Sequence, residues 1–181
     1  MIQYNKKHGN IAISDDNIFD IVEQRVFAGH LGATVIIPHV CNNINLFGAG
    51  FASAVGSEYP VVKENFHLLG KKAQLGHVQF VSTRVDKQYR RNLIVANMIA
   101  QNKTINKISN PRPLNYEALV NCMVSVRNFV NELSLTEHDK IEIHCPKFGC
   151  GLAGGDWSFV SNLITDIWSG INVFVYVPKS K

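Results

Sequence analysis

The stretch Lys140-Ile141-Glu142-Ile143-His144 runs directly into Cys145-Pro146-Lys147-Phe148-Gly149-Cys150-Gly151-Leu152-Ala153-Gly154-Gly155-Asp156-Trp157. The first five residues read as a strand. From Trp157 to Trp168 the residues Val160, Ile164 and Ile167 recur at helical spacing, and Asp156 precedes them at the N-cap position. Glycine-rich backbone therefore joins a strand to a helix. The same sequence of events occurs earlier in the chain. Ala33-Thr34-Val35-Ile36-Ile37 reads as a buried strand, and the loop from Pro38 through Gly48-Ala49-Gly50 leads into a helix over Phe51 to Val55. A glycine turn feeding a helix N-terminus aims unpaired N–H groups at one point, which makes an anion site.

Working outward, further strands are predicted at Ile11 to Ile13, His77 to Val81, Asn92 to Ile99 and Ile171 to Val177, with an edge strand at Ile2-Gln3-Tyr4. Helices are predicted over Asp16 to Gln24, Val61 to Leu69 and Tyr116 to Leu133, the last with Asn115 as N-cap. Strands alternating with helices imply an α/β sheet covered on both faces, with ligands beyond the carboxyl ends of its strands. The chain has 181 residues, with no repeat and no Pro/Ser-rich linker, so the expectation is a single domain over 1–181.

The net charge of +4 is scattered in pairs such as Lys71-Lys72 and Arg90-Arg91. Without a basic stripe no sequence-specific nucleic-acid binding is expected, while an anionic small ligand is favoured. Cys41, Cys122, Cys145 and Cys150 form no C-x-x-C pair and no zinc pattern, so free thiols and no metal cofactor are expected. The longest apolar run, Ala33 to Pro38, is too short to span a membrane, and the first residues lack a signal-peptide core. Both features point to a cytoplasmic protein with no membrane partner.

Neither glycine loop is a P-loop, because no Gly-Lys-Ser/Thr follows either one. Two backbone-lined anion sites without a lysine in the glycine run suit a diphosphate held between them. Together the loops resemble those of a macro domain, a three-layer α/β/α fold with a central mixed, largely parallel sheet. His39-Val40-Cys41-Asn42 followed by Gly48-Ala49-Gly50 resembles the family's first ligand loop. Phe148-Gly149-Cys150-Gly151-Leu152 resembles its diphosphate loop, and Gly9-Asn10-Ile11 resembles its Gly-Asp-Ile signature with Asn in place of Asp. Gly76-His77-Val78, Ala96-Asn97-Met98-Ile99-Ala100-Gln101 and Tyr116-Glu117-Ala118-Leu119 are similar to the branch of ADP-ribose 1″-phosphate phosphatases and ADP-ribose–glutamate hydrolases.

The resemblance implies that Asn42, with Asn43 beside it, meets the distal ribose, and that Gly48, Ala49, Gly50 and Phe51 line the path to it. It implies that Phe148, Gly149, Cys150, Gly151 and Leu152 wrap the diphosphate, that Asn10 and Ile11 lie at the adenine, and that Tyr176 is placed to stack on the base. The implied ligand is ADP-ribose or its 1″-phosphate. The implied activity is release of that phosphate, with Asp156, His39 and Asn42 as catalytic candidates. The alternatives are a non-catalytic reader of ADP-ribose and a hydrolase acting on ADP-ribosylated protein or nucleic acid. Some positions depart from the family pattern. Phe47 stands where one class has a histidine, Gly56-Ser57-Glu58 where the glutamate hydrolases have a lysine, and Ala153 where they have an aspartate.

Three residues keep a second reading. Asp156 is either helix cap or general base. His39 is either a satisfied buried imidazole or a base. Cys150 reads as a small residue in a tight loop, since no histidine is paired with it. The polar insert Lys103 to Pro113 is either a lid or a long connection.

Overall fold

A computed structural model describes residues 6–8, 11–27, 33–86, 91–136 and 140–177. The elements in chain order are β1 (Lys6–His8), β2 (Ile11–Ser14), α1 (Ile18–Phe27), β3 (Ala33–Asn42), α2 (Gly50–Glu58), α3 (Pro60–Leu69), β4 (Val78–Asp86), β5 (Arg91–Gln101), α4 (Tyr116–Thr136), β6 (Lys140–Pro146), α5 (Trp157–Ile167) and β7 (Asn172–Tyr176). The strands form one seven-stranded sheet in the order β1-β2-β7-β6-β3-β5-β4. The four inner pairings are parallel, and the two outermost, β1 with β2 and β4 with β5, are antiparallel. The expected edge strand at Ile2-Gln3-Tyr4 lies outside the described residues.

Alternation along the central strands builds two cores. Ile36, Ala96, Met98 and Ala100 face one side with Leu119, Met123 and Val126 of α4 and Val160 and Ile164 of α5. Val35, Ile37, Leu93, Val95 and Ile99 face the other side, with Ile18 and Val22 of α1, Val55 of α2 and Val62 and Phe66 of α3. A strand covered on both faces needs apolar residues at successive positions, which is why Leu93, Ile94, Val95 and Ala96 of β5 are all buried. The predicted caps form: Asn115 Oδ1 accepts from the Ala118 N–H at 2.9 Å, and Asp156 Oδ1 accepts from the Phe159 N–H at 2.9 Å.

One boundary differs from the reading of sequence alone. β3 does not end at Ile37 but continues through Pro38 to Asn42, pairing with β5 as far as Gln101 with a register shift between Cys41 and Asn42. Its pairing with β6 stops at Ile36↔Ile143, so the strand is one-sided where the proline falls. A proline is tolerated in a strand at such an open edge. Because β6 neighbours β3, the β3–α2 and β6–α5 loops leave the sheet side by side, although they are far apart in sequence.

Candidate functional site

The two loops enclose a cleft of about 630 Å³. The first loop contributes Asn42 and Leu46 to Phe51, and the second contributes Lys147 to Gly149 and Gly151 to Ala153. A Cβ on Gly50 would stand 3.4 Å from Leu152 Cδ1, so the loops nearly touch there. A second cavity of about 590 Å³ opens beyond this contact, lined by Phe51, Cys150, Gly151, Trp157, Tyr176 and Val177 among others.

The backbone of both loops is rich in open donors. Ala49 precedes α2 without supplying a side-chain cap, so the first-turn N–H groups of that helix have no intrahelical acceptor. In the second loop the N–H of Cys150 bonds to Lys147 O, that of Gly154 to Gly151 O and that of Gly155 to Gly149 O. No described residue accepts from the N–H of Gly149, Gly151, Leu152 or Ala153. The loop is thus folded on some of its amides and leaves the others available.

The glycines divide by cause. Cβ atoms on Gly149 and Gly155 would lie 3.0 and 2.4 Å from Leu114 Cδ2, so these two let the loop pack on the core. Gly48 and Gly151 would meet nothing within 4 Å. The protein itself imposes no steric demand for glycine at those two positions, both of which border the cleft.

Asn42 holds the first loop in shape. Its Nδ2 donates to Leu46 O at 2.6 Å, and its Oδ1 accepts from the N–H groups of Ile44 and Leu46 at 3.1 and 3.0 Å. Asn43 points away from the cleft lining: its Oδ1 accepts from the Lys103 N–H at 2.7 Å and its Nδ2 donates to Asn102 Oδ1 at 3.3 Å. Both side chains therefore shape the loop, and Asn43 ties it to the end of β5. The insert beyond β5 turns back on itself through Asn106 and Asn110, and its Thr104 and Ile105 reach the cleft.

His39 lies under the first loop, 1% exposed and edge-on to Phe47 and Phe51. The strand register sets His39 opposite Asn97 and Asn97 opposite Gln79. Gln79 Nε2 donates to the main-chain carbonyl of Asn65, which fixes the orientation of that amide. Gln79 Oε1 then accepts from Asn97 Nδ2 at 3.0 Å, leaving Asn97 Oδ1 to accept from His39 Nε2–H at 2.7 Å. This chain of bonds assigns the proton to Nε2. Burial pushes the imidazole down to about 4 against the opposing effect of the Asn97 bond, so the ring is neutral near pH 7.

Asp156 does not line either cavity. It caps α5, and its own N–H donates to the Tyr116 hydroxyl at 2.9 Å. Ile11 is buried in the core of β2 and lines neither cavity. Asn10 lies outside the described residues. Phe148 is buried and lines the cleft, with its ring tilted against Trp168. Cys150 is turned to the second cavity, and burial raises its thiol to about 11, which suppresses a thiolate. Tyr176 borders the second cavity while only 3% exposed, its hydroxyl 2.7 Å from His144 Nδ1. His144 Nε2 meets Glu142 Oε2 at 3.1 Å, and Glu142 also pairs with Arg25 at 2.9 Å and Lys140 at 2.8 Å.

The sequence reading missed several cleft residues, among them Lys63, His67 and Lys147. Lys63 of α3 lines the cleft, together with His67 one helical turn on. The i, i+4 spacing of those two basic residues was the available signal. Among the described residues, no Asp or Glu lines either cavity. Among the described residues, no group of three His, Cys, Asp or Glu side chains converges as a metal site would require. No described helix is long and apolar enough to cross a membrane.

A parallel-centred α/β sheet with two glycine loops at adjacent strand ends defines the class of domain. No family profile matches the chain. A macrodomain protein from Streptomyces coelicolor is 33% identical, with 81% of this chain and 88% of that one covered and a TM-score of 0.61. On that likeness the chain belongs to the macrodomain family. A Bacteroides thetaiotaomicron protein of unknown function is 29% identical over 92% of this chain and 96% of that one, with a TM-score of 0.71. An uncharacterized 17.5 kDa protein from the tk-vs intergenic region of Enterobacteria phage T4 is 24% identical over 144 residues, or 77% of this chain and 83% of that one. Thermosipho africanus DarTG, solved in complex with ADP-ribose, shares the fold at 16% identity and a TM-score of 0.65, over 99% of this chain and 44% of that one.

Proposed function

We propose that this chain binds ADP-ribose and hydrolyses ADP-ribose 1″-phosphate to ADP-ribose and phosphate. The observation that carries the reading is the pair of facing loops with open backbone N–H groups, in a cleft lined by Lys63, His67 and Lys147 and, among the described residues, by no carboxylate. Such a lining favours a multiply charged anion. The ADP-ribose held by a DarTG of the same fold is a ligand of that kind.

In the hydrolysis a water oxygen forms the new bond to phosphorus while the bond from phosphorus to the 1″ oxygen breaks. The sugar leaves as a hydroxyl, and inorganic phosphate is the second product. With no carboxylate among the described residues lining the cleft, and with His39 made a weak base by burial and its Nε2–H committed to Asn97, a non-bridging oxygen of the ester takes the proton of the water and passes it to the departing 1″ oxygen. The loop amides and nearby cations stabilise the charge on the phosphoryl oxygens. The lack of a carboxylate base also favours a second reading, a reader that binds ADP-ribose without cutting it.

Calorimetry with ADP-ribose, paired with phosphate release from ADP-ribose 1″-phosphate, separates these readings. Heat with both ligands and release of phosphate is the expected result. Binding without release from this ester, or from protein-linked and base-linked ADP-ribose, leaves the reader. No heat and no thermal shift with ADP-ribose overturns both.

A further inference from the structure

We infer that Lys63 forms a subsite for an additional anionic group, beyond the diphosphate, at the first-loop end of the cleft, and so sets the preference for the 1″-phosphate ester over ADP-ribose. The inference rests on the ligand proposed above and adds a residue to it.

Three observations place this lysine. Its stem crosses a gap in α2: a Cβ on Gly56 would lie 3.3 Å from Lys63 Cδ and 3.4 Å from two ring carbons of Phe47. Any larger residue at position 56 would therefore meet the lysine on its way to the cleft. Phe47 immediately precedes the Gly48-Ala49-Gly50 turn, so this packing brings α3 against the base of the first loop. The loop is held there independently, by His67 Nδ1 and Asn45 Oδ1 at 3.0 Å and by Asn45 Nδ2 donating to His67 O at 3.4 Å. Asn45 adopts φ 61 to make this contact, in the left-handed region where asparagine is the better tolerated side chain.

The charge of Lys63 has no acidic counterpart in the described structure. No carboxylate among the described residues lies within ion-pair distance of it, and no acidic side chain lines the cleft it faces. The open amides of the second loop and the first turn of α2 already provide for a diphosphate between the loops. The ammonium group of Lys63, an exposed residue that lines the cleft, is surplus to that need. It suits an anion carried further along the ligand, and in ADP-ribose 1″-phosphate that anion is the terminal phosphate.

The test is calorimetry of the full chain with ADP-ribose and with ADP-ribose 1″-phosphate, for wild type, Lys63→Gln, Lys63→Arg and Gly56→Ala. Non-hydrolysed ester is read at low temperature, or with a phosphonate analogue if turnover interferes. Lys63→Gln is expected to weaken the ester about tenfold or more, the scale of one lost charge-assisted contact, and to leave ADP-ribose within about twofold. Lys63→Arg is expected to recover most of the preference. Gly56→Ala keeps the charge but crowds the stem, and is expected to shrink the preference without removing it. Equal loss of both ligands in Lys63→Gln, or loss of neither, overturns the subsite while leaving the proposed function standing. Wild-type protein that binds neither ligand overturns the function and the subsite with it.

Discussion

Asp156 commits its carboxylate to the start of α5, where Oδ1 accepts from the Phe159 N–H. A cap of this kind contributes about 1 kcal/mol. Asp156→Ala is therefore expected to lower stability by about 1 kcal/mol in urea denaturation, with ADP-ribose affinity and phosphate release unchanged. Reduced turnover at unchanged stability would return Asp156 to the chemistry. The cap was legible in sequence because an N-cap and the stripe it precedes are neighbours in the chain, and Asn115 was legible for the same reason. The fate of His39 was not. Its partner Asn97 and the next link, Gln79, come from two other strands, and only the register brings them together. Likewise nothing local in Gly9-Asn10-Ile11 says that the Ile11 side chain turns into the core.

Strand, glycine loop and helix could each be read from local composition, whereas the meeting of the two loops rests on the strand order that sets β6 beside β3. What local composition does not carry is the reason for each glycine. Gly155 is fixed by packing, since a Cβ there would stand 2.4 Å from Leu114 Cδ2 and 2.7 Å from Gly149 O. Leu114 precedes α4, so the constraint comes from a distant part of the chain. Gly151, with open space around it, carries no such constraint. Gly155→Ala is expected to cost about 1–3 kcal/mol through overpacking and to distort the second loop. Gly151→Ala is expected to leave thermal stability unchanged while weakening ADP-ribose about tenfold, because the added methyl occupies the ligand's approach to the loop amides. Calorimetry and thermal melts on the two variants give opposite patterns if the division is right. Equal loss of stability in both would remove the distinction. Lys63 escaped the sequence reading at this same scale: it belongs to α3, and only the turn at Tyr59-Pro60 folds that helix back against α2 and the first loop.

Over the whole molecule, two buried titratable clusters sit on the same face of the sheet and make the fold acid-sensitive in successive pH windows. The first involves His39, which burial holds at about 4 in the native state against an ordinary value near 6.5. As pH falls below about 6.5 the unfolded chain takes up a proton there that the native chain refuses. Stability contributed by the neutral ring is thus complete above about 6.5, is lost between about 6.5 and 4, and changes no further below that; the loss is about 3 kcal/mol. His144, lowered by burial despite its bond to Glu142, adds to the loss in the same direction. The second window belongs to Glu142. Burial opposes its charge, but hydrogen bonds from His144 and Lys140 and the Arg25 guanidinium hold it down to about 2. Its contribution is present above about 4.5 and is lost as pH falls toward 2. Urea midpoints measured from pH 7.5 to pH 3 are therefore expected to decline first across the histidine window and then across the carboxylate window. In His39→Gln, where an amide nitrogen can still donate to Asn97, the decline between pH 6.5 and 4 should be shallower and the later decline intact. A slope unchanged from wild type would show that His39 takes up its proton in the folded protein, and would reopen it as a base in the cleft.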